Sequence, residues 1–239
     1  MQTRLALLAT TTLAALAIAA PAEAAGGWYA TVTGGANWVD DNNTFLNPVA
    51  LTTLTWLTEA DTGFVIAGAV GMNFGHMMSG LRGEVELSWR QNNVDGLYSS
   101  NILGPTPFQS GTIDYDHETF AVLANIWWDI PVGGFSPYIG GGIGWADTSI
   151  DGAYTCTGGG ACPVPAVVPF DFSDDGFAWQ LGAGINFQIS PNVKLGVGYR
   201  FFQGPEVVAL APNPPPTNPS AHDLDNDNHA AVVTLTFGM

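Results

Sequence analysis

The stretch LRGEVELSWR, residues 81–90, decides the fold. Leu81, Gly83, Val85, Leu87 and Trp89 take one set of alternate positions; Arg82, Glu84, Glu86, Ser88 and Arg90 take the other. A helical period would scatter these charges around a circumference, whereas a period of two separates them completely. The segment is an extended strand with one apolar face and one charged face. Its length matches the roughly 9–11 residues that a tilted strand needs to cross a hydrocarbon core.

Working outward, the same alternation recurs at 28–39, 64–74, 119–130, 137–146, 177–187, 193–201 and 231–239. Trp28, Ala30, Val32, Ala36 and Trp38 share the apolar face of the first of these, and Phe177, Trp179, Leu181, Ala183, Ile185 and Phe187 that of the fifth. A secreted β-sandwich also alternates, but its outward face is polar, whereas here Val, Leu, Ile, Phe and Trp stand opposite the polar face. No apolar run after Ala24 is long enough for a spanning helix, so a membrane-embedded chain has to close as a barrel.

The connections alternate in length. Those near 76–79, 132–136 and 190–192 are short; those at 40–61, 92–116, 147–175 and 204–228 are long and rich in Asp, Asn, Pro and Gly. Short periplasmic turns and long extracellular loops are the habit of outer-membrane barrels, and an even strand count leaves both ends in the periplasm. With the first strand rising from that side, Trp38, Trp89, Trp145, Trp179 and Phe201 fall near the outer rim. Trp28, Phe74, Trp128, Phe187 and Phe237 fall near the inner rim, so the aromatics form two girdles at the two interfaces. The expectation is an all-β protein: a transmembrane antiparallel up-and-down β-barrel of eight strands in the outer membrane. Alternating pieces at 51–57 and 207–210 leave a ten-stranded barrel open.

Residues 1–24 read as a cleaved signal peptide, with Arg4, an apolar stretch from Leu5 to Ala20, and Ala22-Glu23-Ala24 at the cleavage site. Residues 25–239 then form the barrel domain. Charged residues make up only 11% of the chain, against about 25% in soluble domains. The net charge of −16 repels phosphates, which argues against a nucleic-acid partner. Cys156 and Cys162 are the only cysteines, and in an exported chain they read as one disulfide closing a small loop.

The stretches SPYIGGGIGWA (136–146), LGVGYRFF (195–202) and AVVTLTFGM (231–239) resemble the OmpA-type and opacity-type outer-membrane barrel superfamily. The resemblance covers 25–239 and implies an envelope barrel inserted by the barrel-assembly machinery, here without a peptidoglycan-binding domain. Such barrels commonly end on an aromatic residue; here Phe237 is followed by Gly238 and Met239.

Apart from Arg4, the basic residues are Arg82, Arg90, Lys194 and Arg200, all at lumen-facing positions. Glu84, Glu86, Asp129, Asn125, Gln180 and Asn186 share that interior, and an unpaired charge in a narrow lumen is costly. Arg82, Glu84, Glu86, Arg90, Lys194 and Arg200 are therefore the expected lumen network. Gly140, Gly142, Gly144, Gly182, Gly184, Gly196 and Gly198 offer the space into which the long Arg and Glu side chains extend. An eight-stranded interior is just wide enough for side chains to fill it, so the expectation is a plugged barrel, with a narrow small-solute or ion porin as the alternative.

Most other acidic residues fall in the long connections. Asp223, Asp225 and Asp227 mimic the start of an EF-hand loop, a weak candidate metal site because the Gly and Glu of that motif are missing. No cofactor is expected. Some eight-stranded barrels modify lipid A, which requires a His with a nucleophile or acid near the outer rim. His117 and Glu118 lie there but point to opposite faces, and no such constellation forms. The expected role is structural and surface-interacting rather than enzymatic. The expected partners are outer-membrane lipid and lipopolysaccharide, with an extracellular ligand or host surface touching the loops.

Overall fold

A computed structural model of the chain describes residues 27–39, 45–47, 52–75, 79–102, 109–159, 167–211, 220–224 and 226–238. Its strands are β1 (Trp28–Val39), β2 (Phe45–Asn47), β3 (Thr52–Ala60), β4 (Gly63–Asn73), β5 (Leu81–Ile102) and β6 (Gln109–Asp129). They continue with β7 (Phe135–Gly159), β8 (Val167–Ser190), β9 (Val193–Gln203), β10 (Val207–Ala211), β11 (Ser220–Leu224) and β12 (Asp227–Gly238). Antiparallel pairing runs β1-β4-β5-β6-β7-β8-β9-β12 and returns to β1, giving a closed ring of eight strands. Closure leaves no backbone edge at membrane level, which is what a bilayer demands of a sheet.

Neither extra piece joins the ring, so a ten-stranded barrel is excluded. β3 pairs with the upper part of β5 directly beyond β4: Ala60 faces Val94 and Phe64 faces Gln91. One extra residue on the β3–β4 side absorbs this offset in the manner of a bulge, so β3 prolongs the line of β4. β2 pairs with β3, and β10–β11 forms its own two-stranded sheet.

The wall is uneven in height. β5, β6, β7 and β8 run for 22, 21, 25 and 24 residues, whereas β1, β9 and β12 run for 12, 11 and 12. The connections expected at 92–116 and 147–175 are thus mostly strand: β5–β6 pairing continues to Ser100–Gln109, and β7–β8 pairing to Thr155–Val167. The acidic residues assigned to these loops, among them Asp95, Asp114, Asp116, Asp151 and Asp171, belong to the strand walls instead. The alternation does not stop at the rim; it changes sign. Within the membrane Val85 and Leu87 point outward and Glu86 and Arg90 inward. Above it, Asp95, Asp114, Asp116, Asp151 and Asp171 are exposed, while Val94, Ile113, Tyr115, Ile150 and Tyr154 are buried.

The short turns carry their own chemistry. Gly80 precedes β5 at a φ of 82°, and a Cβ there would stand 1.8 Å from the Asp129 carbonyl oxygen. Only glycine fits that close approach between the β4–β5 turn and the end of β6.

Candidate functional site

The lumen is filled in layers. Arg82 donates from Nε to Asp129 (3.2 Å) and from Nη1 to Glu84 (3.3 Å). Glu84 also accepts from the Tyr29 hydroxyl (2.9 Å) and the Trp127 indole (2.8 Å). One step higher, Arg200 Nη1 reaches Glu86 at 2.7 Å, and Gln180 Nε2 donates to the other oxygen of Glu86 at 3.1 Å. Asn125 donates to both Glu84 and Glu86, at 3.3 Å each, and so ties the two layers together. Every one of these groups is buried. Burying ions costs several kcal/mol each unless the remaining lone pairs and protons are satisfied, and here the carboxylates take several donors apiece.

Of the expected network, Arg82, Glu84, Glu86 and Arg200 are brought together. Lys194 lies at the mouth, its ammonium 3.9 Å from Asp129 and its side chain 36% exposed. Arg90 stands apart. Its guanidinium lies 3.8 Å from the Phe202 ring centroid and donates to Ser88, with no carboxylate within ion-pair distance among the described residues. A buried cation on an aromatic face keeps part of the stabilisation that water would supply.

The glycine wall does not chiefly house Arg and Glu, as expected; it houses aromatic rings. A Cβ on Gly140 or Gly182 would come within 2.7 or 3.1 Å of Trp127 ring atoms, and one on Gly198 within 2.3 Å of the Tyr138 hydroxyl. Trp127 and Tyr138 meet edge to face, with Arg82 and Arg200 each within 5.7 Å of the Trp127 ring centroid. Two bulky rings use the room better than flexible chains because they bury more area for less lost rotamer freedom.

Above the two ion layers come an apolar layer of Ala121, Leu123, Ala146, Ala178 and Phe202, with the Arg90 guanidinium lying on Phe202, and then a band of neutral amides. Asn37 donates to Asn92 and to Asn228 (2.8 Å), while Asn226 donates to Thr148 (2.8 Å) and Thr119 (3.3 Å). An apolar cap of Val94, Ile113, Tyr115, Ile150, Tyr154 and Val207 closes the top, with Phe170 and Phe172 packed against it. At the opposite end, a vestibule of about 160 Å³ lined by Tyr29, Arg82, Asp129, Asn186, Lys194 and Thr236 ends on the first ion layer. Asn37, Asn92, Trp127, Tyr138 and Phe202 were missed as site residues, although each has the lumenal parity of its strand. Parity alone could have found them.

His117 points inward above the membrane, between Asn92 and Ile150 in register, and among the described residues its Nε2 has no hydrogen-bond partner. Burial lowers its pKa to about 4. The unfolded chain, with a pKa near 6.5, binds a proton that the folded chain refuses. Stability is therefore complete above about pH 6.5 and declines as pH falls towards 4, by about 3 kcal/mol. Urea unfolding across this window should show the decline, and His117→Phe should remove that share of it. Glu118 lies on the outward face, its carboxyl pushed upward by partial burial and then by Asp116 and Asp151.

Asp223 stands in β11 opposite Val208, Asp227 in β12 opposite Gln203, and Asp225 lies outside the described residues. Among the described residues no group of three or more His, Cys, Asp and Glu side chains is placed to hold a metal. Cys156 lies in β7; Cys162 lies outside the described residues, as do 1–24.

The outer girdle shows where lipid ends. The Trp145 indole donates to Asp175 at 3.1 Å and the Trp179 indole to Gln203 at 2.8 Å, so the ring bodies face lipid and their N–H groups meet the first polar residues above. Trp28, Trp128, Phe187 and Phe237 are exposed on the outside at the other end.

An "Outer membrane protein" of Gluconacetobacter diazotrophicus is 28% identical over 99% of this chain, which spans 64% of that relative's length. An uncharacterised protein of Brucella abortus is 28% identical over 56% of this chain and 49% of its own. Among solved structures, OprG of Pseudomonas aeruginosa aligns with a TM-score of 0.49 at 16% identity, covering 90% of this chain and 96% of that one. Neisserial surface protein A aligns at 0.47 with 12% identity, covering 91% and 100%. A family model described as the outer membrane protein beta-barrel domain matches residues 5–237, so the chain belongs to that family and resides in the outer membrane of a Gram-negative bacterium.

Proposed function

We propose that this protein is a non-conducting outer-membrane scaffold whose function is exercised at its extracellular wall. The filled lumen carries this reading: two tied ion layers, an apolar layer, an amide band and an apolar cap follow one another from the vestibule upward. A solute entering the vestibule meets Arg82 and Asp129 locked together. Water would have to displace an ion network whose carboxylates each take several donors and then pass an apolar layer and an apolar cap.

Planar-bilayer recording tests the reading. The wild-type protein should give no stable unitary steps. Ion-selective steps that change with Arg82→Ala or Glu84→Ala would establish the narrow porin instead.

Catalysis is not assigned. His117 is enclosed, and the Nδ1 of His229 is engaged by the Tyr199 hydroxyl. Removal of residues 1–24 on export and a Cys156–Cys162 bond tying the β7–β8 connection complete the proposal. Lipopolysaccharide around the lipid face and the assembly machinery during insertion are its envelope partners.

A further inference from the structure

Arg200 leaves a donor unused in the ion layers. Its Nη1 is given to Glu86, but among the described residues its buried Nε–H has no acceptor. The side chain is only 8% exposed, so bulk water does not make up the loss. A charged N–H left unmade inside a protein is costly and commonly marks the place of a water or an ion.

Arg200 borders a recess of about 10 Å³, lined also by Arg82, Glu84, Thr31, Thr234 and Thr236. That volume holds about one water-sized particle. The recess adjoins the vestibule, with which it shares Arg82, Asn186 and Thr236. The β1–β12 ladder builds its hydroxyl wall: Thr31 stands opposite Thr236, and Thr234 opposite Thr33.

The lining suits an anion better than a water. A water needs acceptors for its own protons, and both oxygens of Glu84 are already engaged. One takes Tyr29 and Arg82, the other Trp127 and Asn125. An anion only accepts, and the recess offers it an N–H and hydroxyls that can turn their protons inward. Thr33 can donate to Thr234 at 2.9 Å, which frees the Thr234 proton for the recess. Charge points the same way. Two guanidiniums and one carboxylate line the recess, and Lys194 stands at the mouth of the vestibule. In a low-dielectric interior an excess cation favours a counter-ion beside it.

We propose that this recess binds one halide-sized monovalent anion, admitted through the vestibule and held by Arg200 Nε–H and the Thr31, Thr234 and Thr236 hydroxyls. The ion does not replace Glu86, which is bound through a different nitrogen of the same guanidinium. The site does not depend on the lumen being closed.

The test uses the full-length protein folded in liposomes, with gluconate as the starting anion and chloride replacing it at constant ionic strength. The urea midpoint is expected to rise, following the logarithm of chloride concentration once half-saturation is passed. Thr31→Val, Thr236→Val keeps the side-chain shape and removes two donors, so its half-saturation should move to about tenfold higher chloride. Wild-type crystals soaked in bromide should show its anomalous signal within hydrogen-bond distance of Arg200 Nε, a readout that needs no variant to fold. A midpoint indifferent to chloride, a double variant that responds as the wild type does, or a water where bromide is expected overturns the proposal. Stable conductance with bromide in place would sink the plug alone; a silent barrel without bromide would sink the anion site alone.

Discussion

Replacing Glu86 by alanine should cost the folded barrel about 3–5 kcal/mol, because it leaves Arg200 charged and unpaired in the lumen. The Arg200–Glu86 contact is 2.7 Å long with both side chains buried, and Gln180 and Asn125 lose an acceptor at the same time. Urea titration in liposomes, read from the heat-modifiable gel mobility of the folded form, measures the loss. The double variant Glu86→Met, Arg200→Met should recover most of it, since a buried ion pair exchanged whole for apolar side chains is often close to neutral. A single variant that unfolds at the wild-type midpoint would mean that water reaches Arg200, and the layered plug would fail with it.

Trp127→Ala should be of similar size, about 3–5 kcal/mol, for a different reason. The indole fills the space over Gly140 and Gly182 and donates to Glu84, so its removal leaves both a cavity and a carboxylate oxygen short of a donor. The neighbouring glycines have no side chain with which to close the gap. Flickering conductance should accompany the destabilisation, because the cavity lies beside the ion layer that ends the vestibule. Adding Gly182→Leu to Trp127→Ala should refill the space and recover part of the stability. A silent, fully stable Trp127→Ala variant would show that the ring is not part of the seal.

The barrel was legible because its physics is local. Leu81–Arg90 separates charge from apolar surface by parity alone, and the first strand was bounded correctly at Trp28 and Val39. The placement of Arg82, Glu84, Glu86 and Arg200 indoors followed from the same parity, since none of them tolerates lipid. Which charge meets which did not follow, because partner choice depends on ring stagger and side-chain reach. Arg90 lies on the same face as Glu86 yet lies on Phe202 from β9.

The upper storey was misread for an instructive reason. Asp, Asn and Gly clusters signal loops when counted by composition. In Asp114, Asp116 and Glu118 they are one face of a strand whose other face is Ile113, Tyr115 and His117. Treating the rim as the end of the strands hid a pattern that continued through it with the faces exchanged.

That exchange fixes the depth at which the protein floats. Phe120, Trp145 and Phe177 end the lipid-facing columns, and the next outward residues on their strands are Glu118, Asp147 and Asp175. Sinking by one pleat, two residues or about 6.6 Å, would drive those carboxylates into hydrocarbon. Rising by as much would strip three aromatic rings of lipid. Displacement is opposed in both directions, so the bilayer holds this barrel at a set height. Whatever approaches the acidic upper wall meets it at a constant distance above the lipid.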